Sequence, residues 1–233
     1  MRPISASDPI AFRIGRSLQG HGIAVPEVAQ LQGALVKIGI LAVQGDFEAH
    51  ARMLASLGVK TVEVRTVADL EGCDGLILPG GESTTQLQFL EEEGLDKAIR
   101  KFAADDKAIF GTCAGAILLA SEVKNPKQAS LGLLDMTVLR NGYGRQVHSD
   151  VVSGKTTLHE EPLEMVFIRG PIIERIGKNV EVLAEYAGKP ALVQKGHLIA
   201  SAFHPELTVD TTVHRHFLDL VGRSATKKRT VSR

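Results

Sequence analysis

The sequence predicts a three-layer α/β fold, in which helices flank a mostly parallel sheet. Short apolar runs alternate with segments whose apolar residues recur at helical spacing, and glycine or proline often marks the boundary between them. A denser series of strand-like segments beyond residue 130 predicts an additional β-rich second half. With 233 residues, 44% of them hydrophobic, the chain can bury the core of one large domain or two small ones.

The first half of the chain supplies the alternating pattern. Its strand candidates are short and either apolar, as expected for parallel strands that are buried on both faces, or β-branched. They are Ile38–Val43, Thr61–Val64, Leu76–Leu78 and Ala108–Phe110. The predicted helices between and after them are Phe47–Leu57, which stops at Gly58, a pair within Thr84–Phe102 that is broken near Gly94, and Ala114–Val123.

The second half is richer in strand signals and ends in a helix. The predicted strands are Leu134–Leu139, Met165–Ile168, Val180–Tyr186, Ala191–Gln194 and Leu198–Phe203. A Gly-Lys-Pro turn in the middle of Val180–Lys195 predicts a hairpin. The spacing of apolar residues over Thr208–Leu220 predicts a final helix, with Thr208 as its N-cap.

The two ends of the chain differ from what lies between them. Residues 1–35 show no sustained periodicity, which predicts a disordered or non-native extension. Three arginines there would also suit an organelle-targeting segment, but two acidic residues weaken that interpretation. We expect one domain over residues 36–222. The tail, residues 223–233, has five basic and no acidic residues, and we interpret it as a frayed terminus rather than a nucleic-acid contact.

Composition excludes several classes of function. The 27 basic and 27 acidic side chains cancel, so the charge balance gives no sign of binding to nucleic acid or to an anionic membrane. No apolar run approaches the roughly 18–20 residues that span a bilayer. Cys73 and Cys113 are the only cysteines. They could form one disulfide, but so few cysteines favour a reduced, cytoplasmic location.

The strongest motif is Gly111-Thr112-Cys113-Ala114-Gly115, between a predicted strand and a predicted helix. It is the cysteine form of the nucleophile elbow, in which small neighbours let a sharp turn lift the nucleophile above the sheet edge. The helix N-terminus also favours the thiolate, the reactive form of cysteine. The alternative is a buried structural thiol, which is how we interpret Cys73, whose sequence context carries no such turn.

A second motif could complete a catalytic triad. Phe203-His204-Pro205-Glu206-Leu207 follows the strand predicted to end at Phe203. In an extended segment, residues two apart share a face, so Glu206 can orient the His204 imidazole and support its charged form. The alternative is a histidine and a glutamate on a surface loop. Together with the elbow, the pattern favours the triad Cys113, His204 and Glu206.

A glycine-rich loop, Pro79-Gly80-Gly81-Glu82-Ser83-Thr84-Thr85, follows the strand Leu76–Leu78. It lacks the lysine of a phosphate-binding P-loop. Its glycines instead allow a backbone N–H to face a bound carbonyl, which would complete an oxyanion hole with the N–H of Ala114. A plain turn with a helix cap is the simpler alternative.

These motifs together resemble those of class I (triad) glutamine amidotransferases. More narrowly, the chain resembles the glutaminase subunits of pyridoxal 5′-phosphate synthase (the PdxT/SNO family), over Val36 to about Gly222. The narrower resemblance is carried by an ordered set of segments: Gly39–Phe47, Leu78–Thr85, Phe110–Gly115, Arg140–Gln146, Phe167–Arg169 and Ser201–Leu207. The extension over residues 1–35 departs from the family pattern but touches none of these motifs.

The resemblance implies roles for particular residues. Cys113 would be the nucleophile, His204 the general base and Glu206 its orienting partner, while Gly81 and Ala114 would form the oxyanion hole. Glutamine would be bound by Gly81, Glu82, Ser83, Arg140, Ile168 and Arg169. No metal ion or cofactor is implied. The partner would be the barrel-shaped synthase subunit, in a complex with many copies of each subunit, which would use the ammonia to make pyridoxal 5′-phosphate.

Three alternatives stay open at this point. The chain could be an amidotransferase of another pathway, such as histidine biosynthesis. It could be a cysteine peptidase or chaperone-like protein with the same elbow, although some of those place histidine where Ala114 stands here. It could also be a catalytically silent binding subunit, against which the complete set of Cys113, His204 and Glu206 argues.

Overall fold

The computed structural model describes the backbone of residues 36–140, 142 and 150–231, and the side chains of residues 36–140, 142 and 151–224. The predicted extension over residues 1–35 lies outside the described residues. So do most of the Arg140–Gln146 segment, of which Arg140 and Gly142 are described, and the last two residues of the basic tail.

The described residues form twelve strands and six α-helices. The strands are β1 (Ile38–Leu41), β2 (Thr61–Val64), β3 (Gly75–Leu78), β4 (Ala108–Thr112), β5 (Ala120–Lys124), β6 (Leu134–Leu139), β7 (Asp150–Gly154), β8 (Leu163–Phe167), β9 (Ile172–Ile176), β10 (Glu181–Tyr186), β11 (Lys189–Lys195) and β12 (Leu198–Ser201). The helices are α1 (Phe47–Ser56), α2 (Val67–Leu70), α3 (Ser83–Glu92), α4 (Leu95–Ala104), α5 (Ala114–Leu119) and α6 (Thr212–Val231).

A seven-stranded, mostly parallel sheet forms the centre of the fold, in the order β10-β11-β12-β4-β3-β1-β2. The five strands from β12 to β2 are parallel, and the β10–β11 hairpin extends the sheet with antiparallel pairing. Every residue of β1, β3, β4 and β12 is buried, as expected for central strands covered on both faces. The predicted α/β class is therefore confirmed.

The additional β-rich part consists of two small sheets. β5, β6 and β9 form a three-stranded mixed sheet, and β7 pairs with β8 as an antiparallel ribbon. The ribbon contacts the segment that follows the central sheet, because the backbone N–H of His204 donates to the carbonyl of Val166 in β8 at 2.8 Å. The sequence pattern does not predict strands β5, β7 and β9 or the short helix α2.

The predicted helix Ala114–Val123 is wrong in its second half. Helix α5 ends at Leu119, and Ala120 turns to an extended conformation with ψ of 149°. The chain continues as β5, which pairs with β6, and the Ser121 hydroxyl donates to the carbonyl of Met136 at 3.1 Å. Pairing between distant segments has overridden a local apolar pattern that suits a helix or a buried strand equally.

The final helix also differs from its prediction. It begins at Thr212, not Thr208, and it continues through Val231 into the segment predicted to be frayed. Pro205–Leu207 forms a short 3₁₀ helix, after which the Thr208 hydroxyl accepts from the N–H of Asp210 at 3.0 Å. Thr208 thus stabilises a turn before α6 instead of capping it.

The hairpin over Val180–Lys195 is confirmed, although its turn is not the predicted Gly-Lys-Pro. Ala187 and Gly188 occupy the turn with φ of 50° and 71°, while Lys189 and Pro190 already belong to β11. Within the part of the chain that the structure describes, no helix is both long and apolar enough to cross a membrane.

Candidate active site

Cys113 lies on a strained turn between β4 and α5. Its φ of 48° and ψ of −99° are unusual for a residue with a side chain, and such strain is typical of functional turns. The backbone is held there because the N–H of Cys113 donates to the carbonyl of Ser201 in β12 at 2.8 Å. The predicted elbow thus has the expected strand-turn-helix context, and Cys113 is 8% exposed.

The glycines beside Cys113 are required by close backbone contacts. A Cβ at Gly111 would lie 2.6 Å from the backbone of Gly115, and a Cβ at Gly115 would overlap the carbonyl of Leu78 in β3. Alanine at either position would force strand and helix apart. The Gly-x-Cys-x-Gly spacing is therefore a packing requirement of this turn.

The parallel sheet brings His204 to the same edge as Cys113. β4 and β12 are parallel neighbours with Thr112 opposite Ser201, so the segments that follow them leave the same edge of the sheet. The His204 side chain lies close enough to Cys113 for the thiol to raise the pKa of the imidazole. Its Nδ1 lies 2.8 Å from Glu206 Oε1, which leaves Nε2 for the thiol. The three predicted triad residues therefore converge, and all three are buried.

The electrostatics of this cluster favour a charged imidazole. Burial alone lowers the pKa of His204, but the hydrogen bonds to Cys113 and Glu206 and the charges of these two side chains raise it to about 10. Burial disfavours the charged form of Glu206, whereas His50 and the hydrogen bond to His204 lower its pKa to about 2. Burial lowers the pKa of His50 and keeps its imidazole neutral, so the hydrogen bond from His204 is the main interaction that stabilises the Glu206 carboxylate.

The glycine-rich loop lies against the imidazole. A Cβ at Gly80 would overlap His204 Cε1, and Gly81 has φ of 147°, a conformation that favours glycine. The Gln86 side-chain amide holds the loop by donating to the carbonyls of Pro79 at 3.3 Å and Gln44 at 3.2 Å. Ala114 is the first residue of α5, so its N–H has no partner within the helix.

The residues predicted to bind glutamine fall into two groups. Arg140 Nη2 lies 2.9 Å from Glu82 Oε1, so these two side chains form an ion pair just beyond Gly81. Ser83, which begins α3, donates from its hydroxyl to Gln128 Oε1 at 3.0 Å. Ile168 and Arg169 form the second group; both are exposed, follow β8 directly, and lie close in sequence to Val166, which accepts the His204 backbone N–H.

The profile of the SNO glutamine amidotransferase family matches residues 40–223. The chain belongs to this family. The resemblance seen in its motifs is confirmed, and the match includes every residue of the predicted site.

Curated relatives and solved structures agree with this assignment. The pyridoxal 5′-phosphate synthase subunit PdxT of Koribacter versatilis (strain Ellin345) is 49% identical over 194 residues, covering 82% of this chain and 100% of that protein. The protein of the same name from Deinococcus radiodurans is 50% identical over 193 residues, covering 81% and 98%. A glutamine amidotransferase crystal structure is 46% identical with a TM-score of 0.75, covering 79% and 98%.

A more distant structure shows the fold alone. The crystal structure of PurLQS from Thermotoga maritima contains a chain that is 19% identical with a TM-score of 0.59, covering 79% of this chain and 98% of that one. This likeness supports the predicted α/β architecture at the level of the fold.

Several polar residues, including two within the family segment Gly39–Phe47, were not predicted to belong to the site. Asp46 Oδ2 lies 3.5 Å from His204 Nδ1, and Gln44 Oε1 accepts the N–H of Glu82 at 3.0 Å. The segment Gln44-Gly45-Asp46 follows β1, so its position at the carboxyl end of a parallel strand could have indicated a role. His50 and His214, behind Glu206, carried no local signal, since they are 164 positions apart.

One group among the described residues offers ligand atoms at metal-binding distances. Asp46, His204 and Glu206 each present one such atom, and these atoms lie within 4.8 Å of one another. His204 Nδ1 is already bonded to Glu206, and a raised pKa keeps this imidazole protonated, whereas a metal ligand must be neutral. The arrangement therefore fits an oriented imidazole better than a metal centre.

Burial of His214 predicts that the protein is less stable in mild acid. Burial and the neighbouring His50 lower the pKa of His214 from 6.5 to about 3. Below pH 6.5 the unfolded chain therefore binds a proton that the folded chain does not, and stability falls as the pH drops toward 3. For one such group the loss is about 1.4 kcal/mol per pH unit.

Urea unfolding of His214→Phe at pH 7, 6 and 5 measures this effect. We expect the variant to lose stability less steeply than the parent protein over this interval. Phe217→Leu, a core change in the same helix without a titratable group, should lower stability by a similar amount at each pH. An unchanged slope in His214→Phe would contradict the prediction.

Proposed function

We propose that this protein hydrolyses L-glutamine to L-glutamate and ammonia through a thioester on Cys113, and that the ammonia serves pyridoxal 5′-phosphate synthesis. The observation that carries the proposal is the convergence of Cys113, His204 and Glu206 at one sheet edge, beside a glycine loop. The curated relatives named above are subunits of pyridoxal 5′-phosphate synthase. Residues 36–222 would constitute the glutaminase domain.

The proposed reaction begins with the Cys113 thiolate, which attacks the carbonyl carbon of the glutamine side-chain amide. The oxyanion that forms receives hydrogen bonds from the backbone N–H groups of Gly81 and Ala114. Protonated His204 then gives its proton to the departing nitrogen, and ammonia leaves the γ-glutamyl thioester. Neutral His204 next accepts a proton from water, which attacks the thioester carbonyl; glutamate then leaves, and the Cys113 thiolate and the protonated imidazole are restored.

The remaining predicted residues would bind the amino acid end of glutamine. Arg140 can pair with an α-carboxylate, and Glu82 can pair with an α-ammonium group. The 2.9 Å ion pair between them supports this role, because it places complementary charges side by side where one substrate carries both. Ser83, Ile168 and Arg169 would complete the substrate contacts.

The proposal includes a partner, the synthase subunit, which receives the ammonia in an assembly of many copies. Ammonia released into water is protonated and diluted, so transfer within a complex would keep it reactive. A cytoplasmic location would suit this role, and the two cysteines of the described chain, Cys73 and Cys113, are both free thiols.

Glutamine hydrolysis measured with and without the synthase subunit tests the proposal. We expect the isolated chain to be slow and the partner to raise turnover by more than about ten-fold, since one oriented oxyanion donor can contribute about 10²–10³. A mixture with an unrelated barrel protein of similar size is the control. Equal turnover with and without the synthase would contradict the partnership, whereas no hydrolysis in either sample would contradict the glutaminase activity itself.

A further inference from the structure

A buried row of polar side chains leads from Glu206 into the core. It consists of Thr112 in β4, His50 in α1 and His214 in α6, all of which are fully buried. Thr112 Oγ1 is 3.4 Å from Glu206 Oε1 and 3.1 Å from His50 Nε2, and His50 Nδ1 is 3.0 Å from His214 Nε2. His50 Nε2 is itself 3.5 Å from Glu206 Oε1.

The direction of these hydrogen bonds follows from the protonation states. Glu206, with a pKa of about 2, is an ionised carboxylate and only accepts. Burial lowers the pKa of His50 and of His214, so each is neutral and carries one ring N–H. Two consistent arrangements of protons are then open to the row, one with all donors directed toward Glu206 and one with them directed away.

The arrangement directed toward Glu206 leaves fewer groups unsatisfied. In it, His214 Nε2–H donates to His50 Nδ1, His50 Nε2–H donates to Thr112, and the threonine hydroxyl donates to the carboxylate. The reverse would leave His214 with a proton on Nδ1, a buried atom with no partner among the described residues. It would also turn the lone pair of His50 Nε2 toward the carboxylate 3.5 Å away. A buried donor without a partner is costly, so the first arrangement is favoured.

We propose that His50 is a positioning residue of the active site, which acts through Thr112 on the orientation of Glu206. The row holds Glu206 Oε1 in place, and this oxygen accepts the hydrogen bond from the protonated Nδ1 of His204. The imidazole is thereby oriented with its Nε2 toward the Cys113 thiol. His50 does not touch the reacting atoms. The effect on catalysis rests on the glutaminase activity proposed above.

His50→Phe tests this role, because it keeps a ring next to Phe110 and removes both ring nitrogens. We expect kcat for glutamine hydrolysis to fall about ten-fold, with the KM for glutamine changed by less than about two-fold. His50→Gln, which retains a side-chain N–H, should recover most of the loss. The matched control is His216→Phe in α6, whose imidazole contacts Gln194 and lies outside the row.

A double-mutant cycle with Glu206→Gln separates positioning from a general effect on folding. If His50 acts through the carboxylate, adding His50→Phe to the Glu206→Gln variant should change kcat by less than about two-fold. The same factor in both backgrounds would overturn the proposal, as would an unchanged kcat in folded His50→Phe. Should His50→Phe fail to fold, Thr112→Val takes its place in the cycle. A parent protein without glutaminase activity would count against the proposed function instead.

Discussion

Replacing Cys113 by serine or alanine is expected to lower glutamine hydrolysis by at least about 10⁴-fold, because the thioester can no longer form. Serine and alanine are as small as cysteine or smaller, so both variants can adopt the turn with φ of 48°. The fold should therefore be retained. The measurement is the rate of glutamate release in the presence of the synthase subunit, where turnover of the parent protein is expected to be highest.

Cys73 provides a matched control for this experiment. It is also a free, buried cysteine, but it lies near the amino end of β3, and its Sγ donates to the carbonyl of Asp69 at 3.3 Å. Cys73→Ala should therefore keep the parent rate and lose only a little stability. Comparable loss of activity in both variants, or full activity in Cys113→Ser, would contradict the assignment of Cys113.

Glu206→Gln is expected to lower kcat by about 10²–10⁴-fold at neutral pH, as loss of the orienting carboxylate does in other triads. The amide keeps the shape of the side chain but removes its negative charge. That charge and its hydrogen bond are among the causes that raise the pKa of His204 to about 10. Without them the pKa of His204 falls, so the imidazole loses its proton at a lower pH than in the parent protein.

The pH dependence of kcat/KM should report this change directly. We expect the alkaline limb of the profile to move to lower pH in Glu206→Gln. The exposed Glu63, which pairs with Arg65 at 2.9 Å, supplies the control Glu63→Gln, whose profile should match that of the parent. A Glu206→Gln variant with parental activity and an unmoved alkaline limb would show that the carboxylate has no role in the charge state of His204.

Much of the parallel sheet could be predicted because each of its strands has a local sequence pattern that is typical of a buried strand. β1, β3 and β4 are buried on both faces, so each reads as a short apolar run between turn residues. The elbow and the His-Pro-Glu segment could also be predicted from the sequence. Each follows such a strand at its carboxyl end, where parallel sheets form their ligand-binding sites.

The parts that sequence could not provide depend on contacts between distant segments. β5 reads as a continuation of helix α5, and only its pairing with β6 makes it a strand. The row behind Glu206 joins α1, β4 and α6, so no spacing within one segment indicates it. Likewise, the ion pair between Arg140 and Glu82 connects residues 58 positions apart. The family resemblance implied that each of these two contacts glutamine, but only the fold brings them together.

During the proposed reaction, Cys113 carries the glutamyl group as a thioester. This intermediate can be trapped by mixing the protein and the synthase subunit with glutamine and quenching in acid within the first turnover. The masses of the peptides then show whether it has formed. We expect a transient gain of one glutamyl group on the peptide that contains Cys113, and none in Cys113→Ala. Release of glutamate with that peptide unmodified at every quench time would contradict it.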